Sequence, residues 1–138
     1  MAPNWALLGD LAQRIAGEPV TVAELDAEHA EVCDGLATWS GAKYVVYIAP
    51  HLEPGDLLAV FLHELAHIIL KHVSKTAPSL DSTTWHPTLQ LAVANLHKVK
   101  EAAADDWAAA VLKSLAPDLR RQLVALLCAA GGAEARAR

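Results

Sequence analysis

The sequence has little of what marks several large classes of protein. Only two of its 138 residues are cysteines, Cys33 and Cys128, and they stand far apart in the chain. This argues against a disulfide-rich scaffold and a cysteine-ligated metal site, and it is typical of free thiols in a reducing compartment. With 11 basic against 16 acidic residues and a net charge of -5, the chain also lacks a basic surface for nucleic acid or an anionic membrane.

Long hydrophobic runs and a targeting segment are missing as well. The apolar stretch at residues 57–70 (LLAVFLHELAHIIL) is too short to span a bilayer and carries charge at its centre. The N-terminal segment has no basic region, and Gly9 and Asp10 interrupt its short apolar run, which is unlike a signal peptide. Because 54% of the residues are hydrophobic and only 20% are charged, we expect a folded, soluble and cytoplasmic protein.

The order of predicted elements indicates an α+β fold in a single domain over residues 1–138, with a frayed tail at 133–138. A first helix is expected between an N-cap at Asn4 and a stop at Gly17. Its apolar spacing predicts that one stripe faces the core: Trp5, Leu8, Ala12 and Ile15.

Segments rich in β-branched and aromatic residues predict a small antiparallel sheet after this helix. A short strand is expected at residues 20–25, and a polar connection follows at 26–31. Residues 36–40 and 43–49 are typical of a hairpin, because Gly41 and Ala42 can form its turn.

Two or three further helices are expected to pack with the sheet. Turn residues, prolines and glycines predict their bounds at residues 56–73, 87–115 and 118–130, and residues 74–86 are expected to form a loop. Gly131 and Gly132 should stop the last helix, which is expected to bury four leucines: Leu119, Leu123, Leu126 and Leu127.

The helix at residues 56–73 carries the motif His63-Glu64-Leu65-Ala66-His67, an HExxH sequence. His63, Glu64 and His67 are the polar residues of an otherwise apolar segment, and burying each costs about 1–3 kcal/mol unless it finds a partner. Histidines four residues apart lie on one helical face, where both rings can bind a single zinc ion. Glu64 would lie beside that ion and can accept a proton from the attacking water.

A catalytic zinc site needs a third protein ligand. The metzincin pattern is excluded, because Leu70 and Val73 occupy the positions where it requires glycine and histidine. A third histidine could come from three places: His72, His86 or His97. On a continuous helix, however, His72 would lie about 140° around from His67, so a surface or capping role is expected for it.

A carboxylate from a second helix is the other route to a third ligand. Glu101 and Asp105 are separated by three alanines, so both project from one helical face and the backbone can approach its neighbour closely. We expect Glu101 to bind zinc and Asp105 to accept the outward N–H of a ligating histidine.

HELAH followed by an acidic helix resembles the gluzincin arrangement, and it is more closely similar to the small ImmA/IrrE-like metallopeptidases. The resemblance covers roughly residues 30–113 and rests on a strand, a turn, the HELxH helix and an acidic-aromatic helix: residues 43–49, 50–55, 63–67 and 101–108, with Trp107 in the aromatic position. It implies a zinc peptidase that cleaves a regulatory protein such as a helix-turn-helix repressor. Some members carry a DNA-binding segment of their own, for which this chain has no room, so we expect no direct contact with nucleic acid.

The residues predict peptide hydrolysis with one zinc ion per chain, held by His63, His67 and Glu101. Glu64 is expected to act as the general base and then to pass the proton to the leaving amine. The developing oxyanion needs a hydrogen-bond donor, for which there are three candidates, His97 first: His97, His86 and Tyr47. The strand at 43–49 could offer an edge to which a substrate strand adds.

Two other functions fit the same motif. One is a metal-bound module that binds or senses a transcriptional regulator without cleaving it, although a purely structural zinc needs no general base such as Glu64. The other is zinc-dependent hydrolysis of a bond other than a peptide bond.

Overall fold

A computed structural model describes residues 3–75 and 87–136 of the chain. It confirms an α+β fold, with a three-stranded mixed sheet and five helices in the described residues. In chain order the elements are α1 (Trp5–Ala16), β1 (Val20–Glu24), α2 (Ala27–Ala30), β2 (Gly35–Trp39), β3 (Tyr44–Ile48), α3 (Pro54–Ile69), α4 (Pro87–Ser114) and α5 (Pro117–Arg136). The loop predicted at 74–86 lies almost wholly outside the described residues.

The sheet has the strand order β1-β3-β2, so β3 lies in its centre. The predicted hairpin is confirmed, because β2 pairs with β3 in antiparallel register and Ala37 lies opposite Val46. The prediction of a purely antiparallel sheet is wrong, because β1 pairs with β3 in parallel, with Val22 opposite Val46. The reason is the intervening chain: α2 forms in the predicted polar connection, with Asp26 as its N-cap, and β2 then returns the chain so that β3 runs parallel to β1.

The hydrophobic core lies where α1 and α3 meet the sheet. From α3 it takes Phe61 and Leu65, both without measurable exposure, and from the central strand it takes Val46 and Ile48. The first helix is capped as predicted, since the Asn4 side chain accepts a hydrogen bond from the Leu7 N–H at 3.1 Å. Its core stripe is shorter than predicted: Leu8 and Ala12 are buried, whereas Ile15 is 43% exposed.

The last helix differs most from its predicted form. It continues through Gly131 and Gly132 to Arg136, where the sequence predicted a stop. Of its four leucines, Leu127 is buried and Leu123 is partly buried against the core, but Leu119 and Leu126 are exposed. Buried Cys128 lies beside Leu127, so the buried face is rotated from the one predicted. Both cysteines are free.

Two findings concern long helical segments. Helix α3 begins at Pro54, in the first-turn position that proline favours, and ends at Ile69 rather than near Val73. Within the described residues, none of the helices has both the length and the apolar character that crossing a membrane requires.

Candidate metal centre

Helices α3 and α4 bring together the side chains that the sequence singled out. On α3 the one-turn spacing of His63 and His67 stacks their rings edge to face, with centroids 4.9 Å apart. Helix α4 packs against α3, and its residues Ala104 and Ala108 are buried; side chains this small allow two helix backbones to come close together. Glu101, one turn before Ala104, therefore points at the two histidines.

Three potential ligand atoms converge at this point. Glu101 Oε2 lies 2.7 Å from His63 Nε2 and 3.1 Å from His67 Nε2, and the two Nε2 atoms are 3.2 Å apart. Among the described residues, His63, His67 and Glu101 form the one group of histidine, cysteine and carboxylate side chains whose ligand atoms lie close enough together to hold a metal ion.

The outward nitrogens of both rings also have partners. Asp105 Oδ1 lies 2.7 Å from His63 Nδ1, and His72 Nδ1 lies 2.8 Å from His67 Nδ1. If His63 donates its Nδ1 proton to Asp105 and His67 donates its Nδ1 proton to His72, the Nε2 atom of each ring presents a lone pair to the Glu101 carboxylate. Three electron-rich atoms so close together repel one another unless a cation or a shared proton lies among them.

The donor set and its spacing fit a zinc ion. Ligand atoms at about 2.0–2.2 Å from zinc in a tetrahedral site lie about 3.3–3.6 Å from one another. The three atoms here are 2.7 to 3.2 Å apart, so a small outward movement of each side chain would accommodate the ion. Two imidazoles and one carboxylate are also a common zinc ligand set that leaves a position for water.

The electrostatics keep these groups in the protonation states that a metal site needs. Burial lowers the pKa of His67 despite the neighbouring Glu101 carboxylate, which favours the neutral, ligating ring. Partial burial alone would raise the pKa of Glu101, but when the histidines carry a shared proton in place of a metal ion, the charge of His67 and the hydrogen bonds that the two rings then donate outweigh burial and lower the pKa. Glu101 is therefore favoured as a carboxylate.

Glu64 is buried beside this group, with 7% of its surface exposed. Its burial raises its pKa to about 7, although the charge of His63 opposes the shift; the nearby Glu101 carboxylate adds to it. The glutamate is packed under the start of β2: a Cβ atom on Gly35 would lie only 2.9 Å from Glu64 Cγ and 2.7 Å from Val60 Cγ1. A glycine at this position therefore lets the strand lie directly on the helix.

The candidate oxyanion donors are placed differently from one another. His97 lies one turn before Glu101 on α4, with Nε2 3.7 Å from Glu101 Oε1 and a side chain that is 72% exposed. Tyr47 lines a separate cavity with Asp26 and His29, so it is not part of this site. His86 lies outside the described residues.

A cleft of about 770 Å³ passes over the site. It is lined by β2, by Glu64 and His67 of α3, and by His97 and Glu101 of α4. The predicted binding edge at 43–49 is wrong, because β3 is the central strand and is paired on both sides. Among the described residues, no strand pairs with the outer edge of β2, and residues of β2 line the cleft, so β2 rather than β3 offers a free strand edge there.

Sequence reasoning missed two contributors to this site. His72 was expected on the surface, because helical periodicity was extended past the point where α3 ends, and no glycine at residue 71 signals the turn. Gly35 could have been noticed, since a glycine at the start of a strand often marks a close backbone approach. Comparisons with models of known protein families, with curated proteins and with solved structures found no match for this chain.

Proposed function

We propose that this protein is a zinc-dependent peptidase in which His63, His67 and Glu101 hold one zinc ion. The observation that carries the proposal is the convergence of these three ligand atoms beside a buried glutamate, Glu64, at the base of an open cleft. A purely structural metal site would have no use for a buried carboxylate that is not itself a ligand.

The ion and Glu64 would have separate tasks. When bound, zinc supplies Lewis acidity, which lowers the pKa of a water ligand to about 7 and polarises a carbonyl group. Glu64, which lies close under Gly35, accepts the proton of the attacking water and returns it to the leaving amine. His97, exposed in the cleft next to Glu101, donates a hydrogen bond to the developing oxyanion.

The substrate that suits this cleft is an extended polypeptide. The free edge of β2 presents backbone N–H and C=O groups that can pair with an added strand, and this would lay the substrate past Glu64 and His67. In keeping with the resemblance of the HELAH and acidic-helix motifs, we propose that the natural substrate is a segment of a regulatory protein such as a helix-turn-helix repressor.

Metal analysis tests the first half of the proposal. The purified protein should bind one zinc ion per chain, and His63→Ala or His67→Ala should lose it. His51, on the turn after β3 and lining a different cavity, provides the matched control, because His51→Ala should keep full occupancy. Full occupancy in the His63 and His67 variants would refute the site.

Glu64→Gln tests the second half, because it preserves size and hydrogen bonding but removes the base. Zinc content should be unchanged, while cleavage should fall at least about 100-fold. Candidate substrates can be found by comparing new protein N-termini in cells that express the wild type with those in cells that express Glu64→Gln. If zinc binds but the two cell types give identical termini, the non-cleaving interaction module is the better description.

A further inference from the structure

The chain reverses direction immediately after α3, and this turn determines where His72 lies. Lys71 has a left-handed backbone with a φ of 63°. The Lys71 N–H donates to the Ile68 carbonyl at 3.1 Å, and the His72 N–H donates to the His67 carbonyl at 2.7 Å. This pair of hydrogen bonds is the Schellman motif, which places the side chain two positions past the helix end over a residue of its last turn. Here those two residues are His72 and the candidate ligand His67.

The two imidazoles meet through the same nitrogen of each ring. His67 Nδ1 and His72 Nδ1 are 2.8 Å apart, and the ring centroids are 5.1 Å apart. Two nitrogens at this distance require one donor and one acceptor. When His67 Nε2 serves as a metal ligand, its proton must be on Nδ1, so His67 donates and the lone pair of His72 Nδ1 accepts.

Residues 71–75, which include and follow the turn, are held by contacts with Glu18 and with Trp39. Glu18 lies 3.4 Å from Lys71 Nζ and 3.1 Å from Lys75 Nζ. Lys75 Nζ also lies 4.7 Å from the centre of the Trp39 ring, at the end of β2. Each exposed ion pair contributes little by itself, but together the contacts tie Lys71 and Lys75, on either side of His72, to Glu18 and Trp39 and limit the movement of His72.

We propose that His72 is a positioning residue for the metal site: by accepting the Nδ1 proton of His67, it fixes the ring orientation and the ligating tautomer of that histidine. This inference rests on the proposed function and adds a residue to it. The two ligand histidines are then supported unequally, because His63 donates to the carboxylate of Asp105 and His67 donates to a second imidazole. Such outward acceptors typically change metal affinity about 10–100-fold when they are removed.

Two substitutions separate the acceptor from the bulk of the side chain. His72→Leu fills similar space without an acceptor, whereas His72→Asn places an amide oxygen close to the position of Nδ1. Competition with a chelator should show zinc affinity about 10–100-fold weaker in His72→Leu, with most of it restored in His72→Asn. His51→Leu is the control for loss of a histidine and should bind zinc like the wild type.

Nitrogen NMR of the zinc-loaded wild type gives a readout that no variant can distort by misfolding. A scalar coupling between His67 Nδ1 and His72 Nδ1, transmitted across the hydrogen bond, is expected, and its absence would overturn the proposal. Equal zinc affinity in the wild type and His72→Leu, or equal losses in the Leu and Asn variants, would overturn it as well and would leave the peptidase proposal standing. A wild type that binds no zinc would instead refute the proposed function itself, and the inference with it.

Discussion

Replacing Gly35 with alanine tests how tightly β2 is packed on the helix that carries Glu64. The new Cβ atom would lie 2.7 Å from Val60 Cγ1 and 2.9 Å from Glu64 Cγ. Both distances are well inside the roughly 3.5–4.0 Å at which carbon atoms attract each other. Neither neighbour can yield easily, because valine is stiff at χ1 and Glu64 Cγ is close to the helix backbone. The steric overlap can be removed only if β2 moves away from α3 or if Glu64 leaves its position.

The expected cost is that of overpacking a core contact, about 1–3 kcal/mol. For a domain of this size 1 kcal/mol corresponds to about 4 °C, so the melting temperature should fall by roughly 4–12 °C. If the protein is the proposed peptidase, its cleavage rate should fall further than the loss of stability explains, because either movement changes the position of Glu64 relative to the cleft.

Gly55→Ala, in the first turn of α3, is the matched control. A Cβ atom there would meet nothing within 4 Å, so the substitution should be neutral or stabilising by up to about 1 kcal/mol. Thermal unfolding of the wild type, Gly35→Ala and Gly55→Ala, measured with and without zinc, gives the effect on stability independently of any enzymatic activity. If Gly35→Ala melts at the temperature of the wild type, the packing of β2 on Glu64 is not as described.

Three further predictions concern the metal site. In a metal titration, Glu101→Ala should lose most of the bound zinc, and Asp105→Ala should weaken zinc affinity about 10–100-fold without abolishing it. The control, Asp106→Ala, changes an exposed residue and should have little effect. Tight zinc binding by Glu101→Ala would point to His97 as the third ligand. A chelator should lower the melting temperature, because zinc at about 100 times its dissociation constant stabilises the native state by about 2.7 kcal/mol; an unchanged melting curve would contradict this. In the metal-free protein the pKa of Glu64 is about 7, which is higher than its value in the unfolded chain, so the native state binds more protons. The free energy of unfolding should therefore fall as the pH rises from about 5 to 8, by up to about 3 kcal/mol. Glu64→Gln cannot ionise and should remove this fall, which urea unfolding at several pH values would show.

Features set by local rules could be read from the sequence. The cap at Asn4, the αL stop at Gly17 and the hairpin at Gly41 depend only on nearby residues, and all three are present. The same holds for the pairing of His63 with His67, because a four-residue spacing on any α-helix puts two side chains on one face.

Glu101 is an intermediate case. The alanines around it indicated a close helix contact, but only the packing of α4 against α3 brings its carboxylate within 2.7 Å of His63.

The remaining features depend on how distant parts of the chain meet. Pairing of β1 and β2 on opposite sides of β3 makes β2 one of the two edge strands, and no strand propensity encodes which strand is central. The contact of Gly35 with Glu64 spans the sheet and the helix. His72 reaches His67 only because Lys71, a residue without the conformational freedom of glycine, adopts a left-handed turn. Sequence alone therefore determined the residues of the candidate metal site that lie on regular helices, because helical periodicity is local. Tertiary structure decided which side chains support them, because those contacts are made by strand order and by a turn that local preferences disfavour.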